Sequence, residues 1–205
     1  MYTALRATSL TIANLLQQHF IADTNLRLLF DPVHGGTMVI SLNSPEEMTE
    51  NKEQGVSVWL YLVNKDGERL NDSMERISRT ELRRRPLPLC LHYLITPVVA
   101  LKNKHNSPET EQIILGKVLQ VMFDHPFLTG SLLQDDFTGK DLQINLHLEP
   151  MTVDETARLF DALDRSYELS ISYQVSLVMI DSEHEPLTAS PVGVAAPEYS
   201  IEVGS

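Results

Sequence analysis

The sequence predicts an α+β fold, and three observations carry the prediction. First, residues 142–181 read as strand, helix, strand. Leu142, Ile144, Leu146 and Leu148 alternate with Gln143, Asn145, His147 and Glu149, the period of a strand with one buried face. Second, Ile12, Leu15, Leu16 and Phe20 recur at helical spacing, as do Ile114, Val118, Val121 and Met122. Third, Val56, Val58, Leu60 and Leu62 alternate with Ser57, Trp59, Tyr61 and Val63, so both faces are largely apolar, as in a central strand.

In chain order, residues 4–20 form an amphipathic helix. Residues 25–30 and 37–42 read as short strands, joined by a turn at Pro32, Gly35 and Gly36. Residues 43–54 are a polar surface loop with room for one helical turn after Ser44. The strand at 56–63 ends in turn chemistry, Asn64-Lys65-Asp66-Gly67. Residues 68–85 carry many charges and little periodicity and read as a loop, mobile or ordered by a partner. Leu87, Leu89, Leu91, Tyr93 and Ile95 then alternate as a strand. Pro97 closes it, and Pro86 and Pro88 keep its start off a central ladder position.

Residues 102–106 are a polar loop. Ser107 as N-cap, Pro108 at the first helical position, and Glu109 and Glu111 near the positive dipole end start a helix that runs to about Phe123. Ile113 and Leu115 widen its apolar stripe, and Asp124-His125-Pro126 stops it. Residues 128–134 read as a short turn of helix and residues 135–140 as a loop. Pro150 ends the next strand, because it has no N–H to give. Thr152 and Glu155 match the capping box, opening a short helix with Val153, Ala157, Phe160 and Leu163 on one stripe. The alternation at 167–179 predicts a strand of roughly 45 Å at about 3.4 Å per residue. A strand that outruns its neighbours points toward another subunit. Residues 182–205, with Pro186, Pro191 and Pro197, read as an extended tail able to add a strand to a neighbour. The expected domain layout is therefore a domain at 1–181 and a tail at 182–205.

The chain has 205 residues, is 42% hydrophobic and 21% charged, and carries a net charge of -12. That charge argues against nucleic acid, whose binding wants clustered Lys and Arg, and against anionic membrane surfaces. No signal peptide is visible, and no apolar run approaches the roughly 18 residues of a membrane span. The expectation is assembly in a cytoplasm. A single cysteine, Cys90, excludes a disulfide within the chain and sits in an apolar strand pattern as a small hydrophobe.

The seven histidines show no metal-ligand spacing. His125 reads as a helix-end histidine, and Glu149 as a strand-end carboxylate near the next helix. No phosphate-cradling glycine loop and no nucleophile elbow occur. The expectation is no catalytic set, no metal and no cofactor. The most functional-looking local feature is Arg83, Arg84 and Arg85, within a stretch that also holds Arg76 and Arg79. Guanidinium forks bind carboxylates bidentately, and copies of an acidic chain offer many. Identical acidic subunits repel unless a basic patch on each meets an acidic patch on the next. A heterologous contact of that kind can close into a ring.

Three segments together resemble the cap, or tail-terminator, proteins of extracellular contractile injection systems, the antifeeding-prophage type of phage-tail-like particle. They are Arg83-Arg84-Arg85-Pro86-Leu87 leading into Leu91-His92-Tyr93-Leu94-Ile95-Thr96; Gln112-Ile113-Ile114-Leu115-Gly116 through Asp124-His125-Pro126-Phe127-Leu128; and Leu146-His147-Leu148-Glu149-Pro150 with Thr152 and Glu155, on through Tyr167-Glu168-Leu169-Ser170-Ile171-Ser172-Tyr173. The likeness covers roughly residues 8–181. It implies a mixed, mainly antiparallel sheet flanked by helices. It also implies a non-enzymatic cap: a homohexameric ring, distal to the baseplate, that ends the inner tube and holds the last sheath ring. Partners would be the chain itself, the inner-tube protein and the sheath protein, with Arg83, Arg84 and Arg85 at an interface. A released particle would carry the protein outside the cell. The competing structural reading is a phage tail-completion or head–tail connector protein. The competing reading of another class is a small cytoplasmic enzyme or ligand-binding domain, which would need convergent polar groups around His92, Cys90 or His125.

Overall fold

A computed structural model describes residues 2–67, 74–78, 80–99 and 107–188. Helix α1 (Ala4–Ala22) buries Ala4, Ala7, Thr8, Thr11, Ile12, Leu15, Leu16 and Phe20, a stripe at three- and four-residue steps. Its two threonines are tolerated inside because each hydroxyl donates to a carbonyl one turn back: Thr8 to Ala4 O at 2.8 Å and Thr11 to Ala7 O at 2.7 Å. After α1 the Asp23 carboxylate accepts from the N–H groups of Asn25 and Leu26, at 2.9 and 3.2 Å. That nucleates a second helical segment, α2 (Arg27–Phe30). The strand expected at residues 25–30 is therefore helical. Leu26 and Phe30, both buried, are one turn apart on its inward side.

Strand β1 (Val39–Ser41) is followed by α3 (Pro45–Glu50), opened by a complete capping box between Ser44 and Glu47. The single turn expected there is a helix of six residues with Met48 fully buried. Strand β2 (Gly55–Lys65) takes in the first two of the four residues read as a turn, Asn64 and Lys65, and ends before Asp66. Two short strands, β3 (Glu75–Arg76) and β4 (Glu81–Arg83), lie within the stretch expected to be a loop. Strand β5 (Leu87–Val98) is the centre of the sheet, and neither proline behaves as expected. Pro88 stands opposite Met179 and Pro97 opposite Val56, inside the ladder. The Pro88 carbonyl still accepts, from Asp66 N–H at 3.0 Å.

Helix α4 (Ser107–Asp124) buries Ile114, Leu115, Val118, Val121 and Met122 as expected, while Ile113 is exposed. Residues expected as a helical turn after it begin instead as strand β6 (Phe127–Thr129), followed by a 3₁₀ turn at Gly130–Leu132. Strand β7 (Gln143–Glu149), helix α5 (Val153–Ala162) and strand β8 (Ile171–Ile180) form the anticipated strand–helix–strand unit. In α5 the inward residues are Thr156 and Phe160, and Val153 is exposed. β8 is shorter than the alternation implied, because residues 167–170 lie outside the ladder. A last short strand, β9 (Leu187–Thr188), pairs with β4.

The main sheet has the order β1-β2-β5-β8-β7-β6, and β3-β4-β9 make a small second sheet. Only β1 and β2 are parallel; every other neighbouring pair is antiparallel, so the sheet is mixed and mainly antiparallel. Gly55 sets the one parallel pair. Its φ of 136° and a Cβ that would meet the Val39 carbonyl oxygen at 2.0 Å leave no side chain but hydrogen there. One face of the sheet, with Leu91, Tyr93 and Ile95, packs with α1 and α4. β5 is also buried through Cys90, His92 and Leu94, which face the α3 side. Register slips by one residue at Tyr61 in β2 and within Ser176–Leu177 of β8, both next to β5.

Candidate functional site

The three arginines singled out by the sequence fall where β4 passes into β5. Arg83 stands opposite Glu75 in the small sheet, and all three are exposed. Arg84 and Arg85 line a cavity of about 640 Å³ with Lys65, Leu87, Met179 and Ile180, and one acid, Asp181, lines it too. Arg76 is exposed on β3, and Arg79 lies outside the described residues. Lys65, Arg83, Arg84 and Arg85 thus gather at the Leu87 end of β5.

The other end of β5 is acidic. A cavity of about 620 Å³ beside Val98 is lined by three acids, Glu53, Glu111 and Glu168, and two bases, Lys52 and Arg165. Glu46, Glu47 and Glu50 stand on the neighbouring helix α3, which Arg165 ties down by donating to Pro45 O at 2.7 Å and Thr49 Oγ1 at 2.5 Å. Arg165 also pairs with Glu168. Burial pushes the Glu168 carboxyl above the usual range; Arg165 opposes that rise and Glu111 adds to it. The two poles are separated by the length of β5, roughly 40 Å at the strand rise.

A third feature was not foreseen. Glu149 Oε2 accepts from Ser172 Oγ at 2.9 Å and from Tyr61 OH at 3.4 Å, and lies 3.0 Å from His92 Nδ1. Asn64 Nδ2 stands 3.3 Å from the other imidazole nitrogen. The pattern fits a neutral imidazole with its proton on Nδ1, donating to Glu149 and accepting from Asn64. Residues from β2, β5, β7 and β8 meet here. The convergence around His92 is what an enzyme reading would require, but the arrangement is wrong for nucleophilic catalysis. The Ser172 hydroxyl is bonded to the carboxylate, and the imidazole, which would have to act as its base, is bonded to the carboxylate and to Asn64. The cluster locks strands together. The register pair Glu149–Ser172 would have revealed it, and that pairing is invisible before the sheet is known.

The remaining candidates are structural. Cys90 is buried in β5. His125 Nδ1 is 2.9 Å from the Val121 carbonyl, closing the end of α4, and its ring meets that of His19 at 4.8 Å. Burial, with His125 and Lys117 adding, pushes His19 below the ordinary imidazole range. Among the described residues no group of three or more His, Cys, Asp or Glu is placed to hold a metal ion, and no helix is long and apolar enough to cross a membrane.

The fold is similar to two solved structures. One is the PVC sheath/tube terminator of an extracellular contractile injection system in its extended state, with 16% identity and a TM-score of 0.52 over 82% of this chain and 58% of that one. The other is the anti-feeding prophage cap, a tube-terminating cap, with 17% identity and a TM-score of 0.50 over 79% of this chain and 53% of that one. The chain therefore spans under two thirds of the length of either. No curated protein sequence matches it. The model of the Pvc16 N-terminal domain matches residues 7–193, and the chain belongs to that family.

Proposed function

We propose that this protein is a structural cap of a contractile injection system. Six copies close head to tail into a ring at the end distal to the baseplate, and the ring terminates the inner tube and the sheath. Membership of the Pvc16 N-terminal domain family across residues 7–193 carries the reading. The likeness in fold to two terminator proteins supports it. The role is non-enzymatic, and the partners are further copies of the chain, the inner-tube protein and the sheath protein. The chain assembles in the cytoplasm and leaves the cell as part of the particle. Residues 1–181 act as the cap domain and residues 182–205 as its tail.

The charge poles supply the mechanism. Arg83, Arg84 and Arg85 of one copy meet the acidic end of the next, or acids of the terminal tube ring. Because donor and acceptor surfaces differ, each copy satisfies one neighbour and is satisfied by another until the circle closes. Growth of the polymer then stops because its end is covered. The test is reversal of all three arginines to Glu. Light scattering at the wild-type concentration should show loss of the species near six times 23.1 kDa, and particles built with the variant should lack density at the distal tip. Normal rings and capped tips in the triple variant would remove the arginines from the interface. Particles of unchanged, uniform length without the protein would end the cap reading itself.

A further inference from the structure

Strand β2 has an outer edge that β1 covers only at Gly55, Val56 and Ser57. From Val58 to Lys65, no strand pairs with that edge among the described residues. The segment is Val-Trp-Leu-Tyr-Leu-Val-Asn-Lys, with a single charge at its far end. Leu62 and Val63 are each 42% exposed, and as consecutive strand residues they stand on opposite faces. A long apolar edge of this kind is a template for another strand, and proteins that keep one ordinarily cover it.

The sequence holds a segment of matching chemistry. Tyr199, Ile201 and Val203 alternate with Ser200 and Glu202, and Glu198 precedes them. Tyr, Ile and Val are strand formers, and the period is that of a strand. The segment lies outside the described residues, but its point of departure does not. β8 runs toward the Leu87 end of β5 and leaves there, and Ser182 lines the same cavity as Lys65, Arg84 and Arg85. Residues 189–197 reach ~30 Å when extended. The chain's own Lys65 lies beside that departure point, so the assignment to a second copy follows from the ring reading and is decided by the cross-link below.

We propose that residues 198–204 of one copy add as an antiparallel strand to the free β2 edge of a second copy. With Ile201 opposite Leu62, Tyr199 stands opposite Asn64 and Glu198 opposite Lys65, beside Arg84 and Arg85. Ile201 then lies against the exposed Leu62, short of the slip at Tyr61, and the carboxylate meets the basic pole. The inference deepens the ring reading and rests on it.

The test uses the full chain with Cys90→Ser. Copies carrying Leu62→Cys are mixed with copies carrying Ile201→Cys and treated with a short bis-maleimide. A cross-linked species of two chains is expected. A chain bearing both cysteines that closes only on itself would overturn the intersubunit assignment. Hydrogen exchange on the unmodified chain gives an independent reading. Amides 58–65 should exchange about tenfold more slowly in the assembled protein, lose that protection when the chain is cut after Thr188, and regain it with a synthetic peptide of residues 196–205. Protection unchanged by the cut would overturn the proposal. A ring seen by light scattering without cross-link or protection would sink strand donation and leave the cap reading standing. Failure to assemble at all would count against the ring reading itself.

Discussion

Replacing Ser9 by Ala and Tyr93 by Phe, singly and together, should reverse the sign of one substitution. Tyr93 is fully buried at the middle of β5, and its hydroxyl lies 2.8 Å from Ser9 Oγ on α1. The Ser9 hydroxyl already donates to Leu5 O at 3.0 Å, so the phenol is the donor in the shared bond. Burial holds the phenol far above its ordinary range, so it stays protonated. Tyr93→Phe leaves Ser9 with its carbonyl partner and should cost about 1 kcal/mol, the net worth of one bond. Ser9→Ala strands a buried phenol O–H, at about 1–3 kcal/mol, offset by a few tenths from the better helix former. In the Ser9→Ala background, Tyr93→Phe removes that stranded group and should stabilise by ~1–2 kcal/mol. Urea melts with unchanged slope would read the three values, and each 1 kcal/mol should move Tm by about 2–4 °C at this chain length. Equal destabilisation by Tyr93→Phe in both backgrounds would show that the phenol has another partner, and the account of the α1–β5 contact would fail.

Gly55→Ala should cost at least about 2 kcal/mol and loosen β1, since both the φ and the Val39 carbonyl oppose a methyl group; hydrogen exchange at residues 39–41 reads it. Thr152→Ala should cost about 1 kcal/mol in the same melts by removing half of the α5 capping box. Stability should fall on the acid side. The carboxyls of Asp23, Asp31 and Glu155 lie below their ordinary values, held there first by backbone N–H of Asn25, the His34 side chain and backbone N–H of Thr152 respectively. Their contribution is full above the unfolded values of 3.8 and 4.5 and is lost as pH drops through the depressed ones. Glu168 runs the other way: raised by burial, it costs stability above its folded value and the cost fades as pH falls. Glu168→Gln should therefore steepen the acid-side loss seen in a pH series of melts. Glu149→Gln should weaken the strand lock without unfolding the chain, and loss of amide protection confined to residues 147–149 and 172–174 would show it.

Local rules carried those elements whose signals are local. The Thr152 and Glu155 cap and the 142–149 alternation need only neighbours along the chain, and they appear where expected. The α1 stripe needs only the helical period. The errors come from partners far away in sequence. Pro88 and Pro97 sit inside a central strand because flanking strands bond around them, which no rule about proline alone foresees. Residues 25–30 became helical because Asp23 caps them and two buried side chains one turn apart find the core. Tyr167 and Leu169 kept strand alternation without a ladder. Glu149 looked like an end-of-strand acid because Tyr61, His92 and Ser172 come from other strands. The arginine run was legible; its acidic counterpart was not, since Glu53, Glu111 and Glu168 meet only in three dimensions.

The inserted residues on either side of β5 have a bearing on aggregation. Each bulge bends its strand and deepens the local twist, so the sheet departs from flatness beside its own centre. Fibrils require flat layers that repeat at a fixed spacing. A bent layer cannot be stacked on copies of itself without gaps, so an apolar border survives here that would seed fibres on a level sheet.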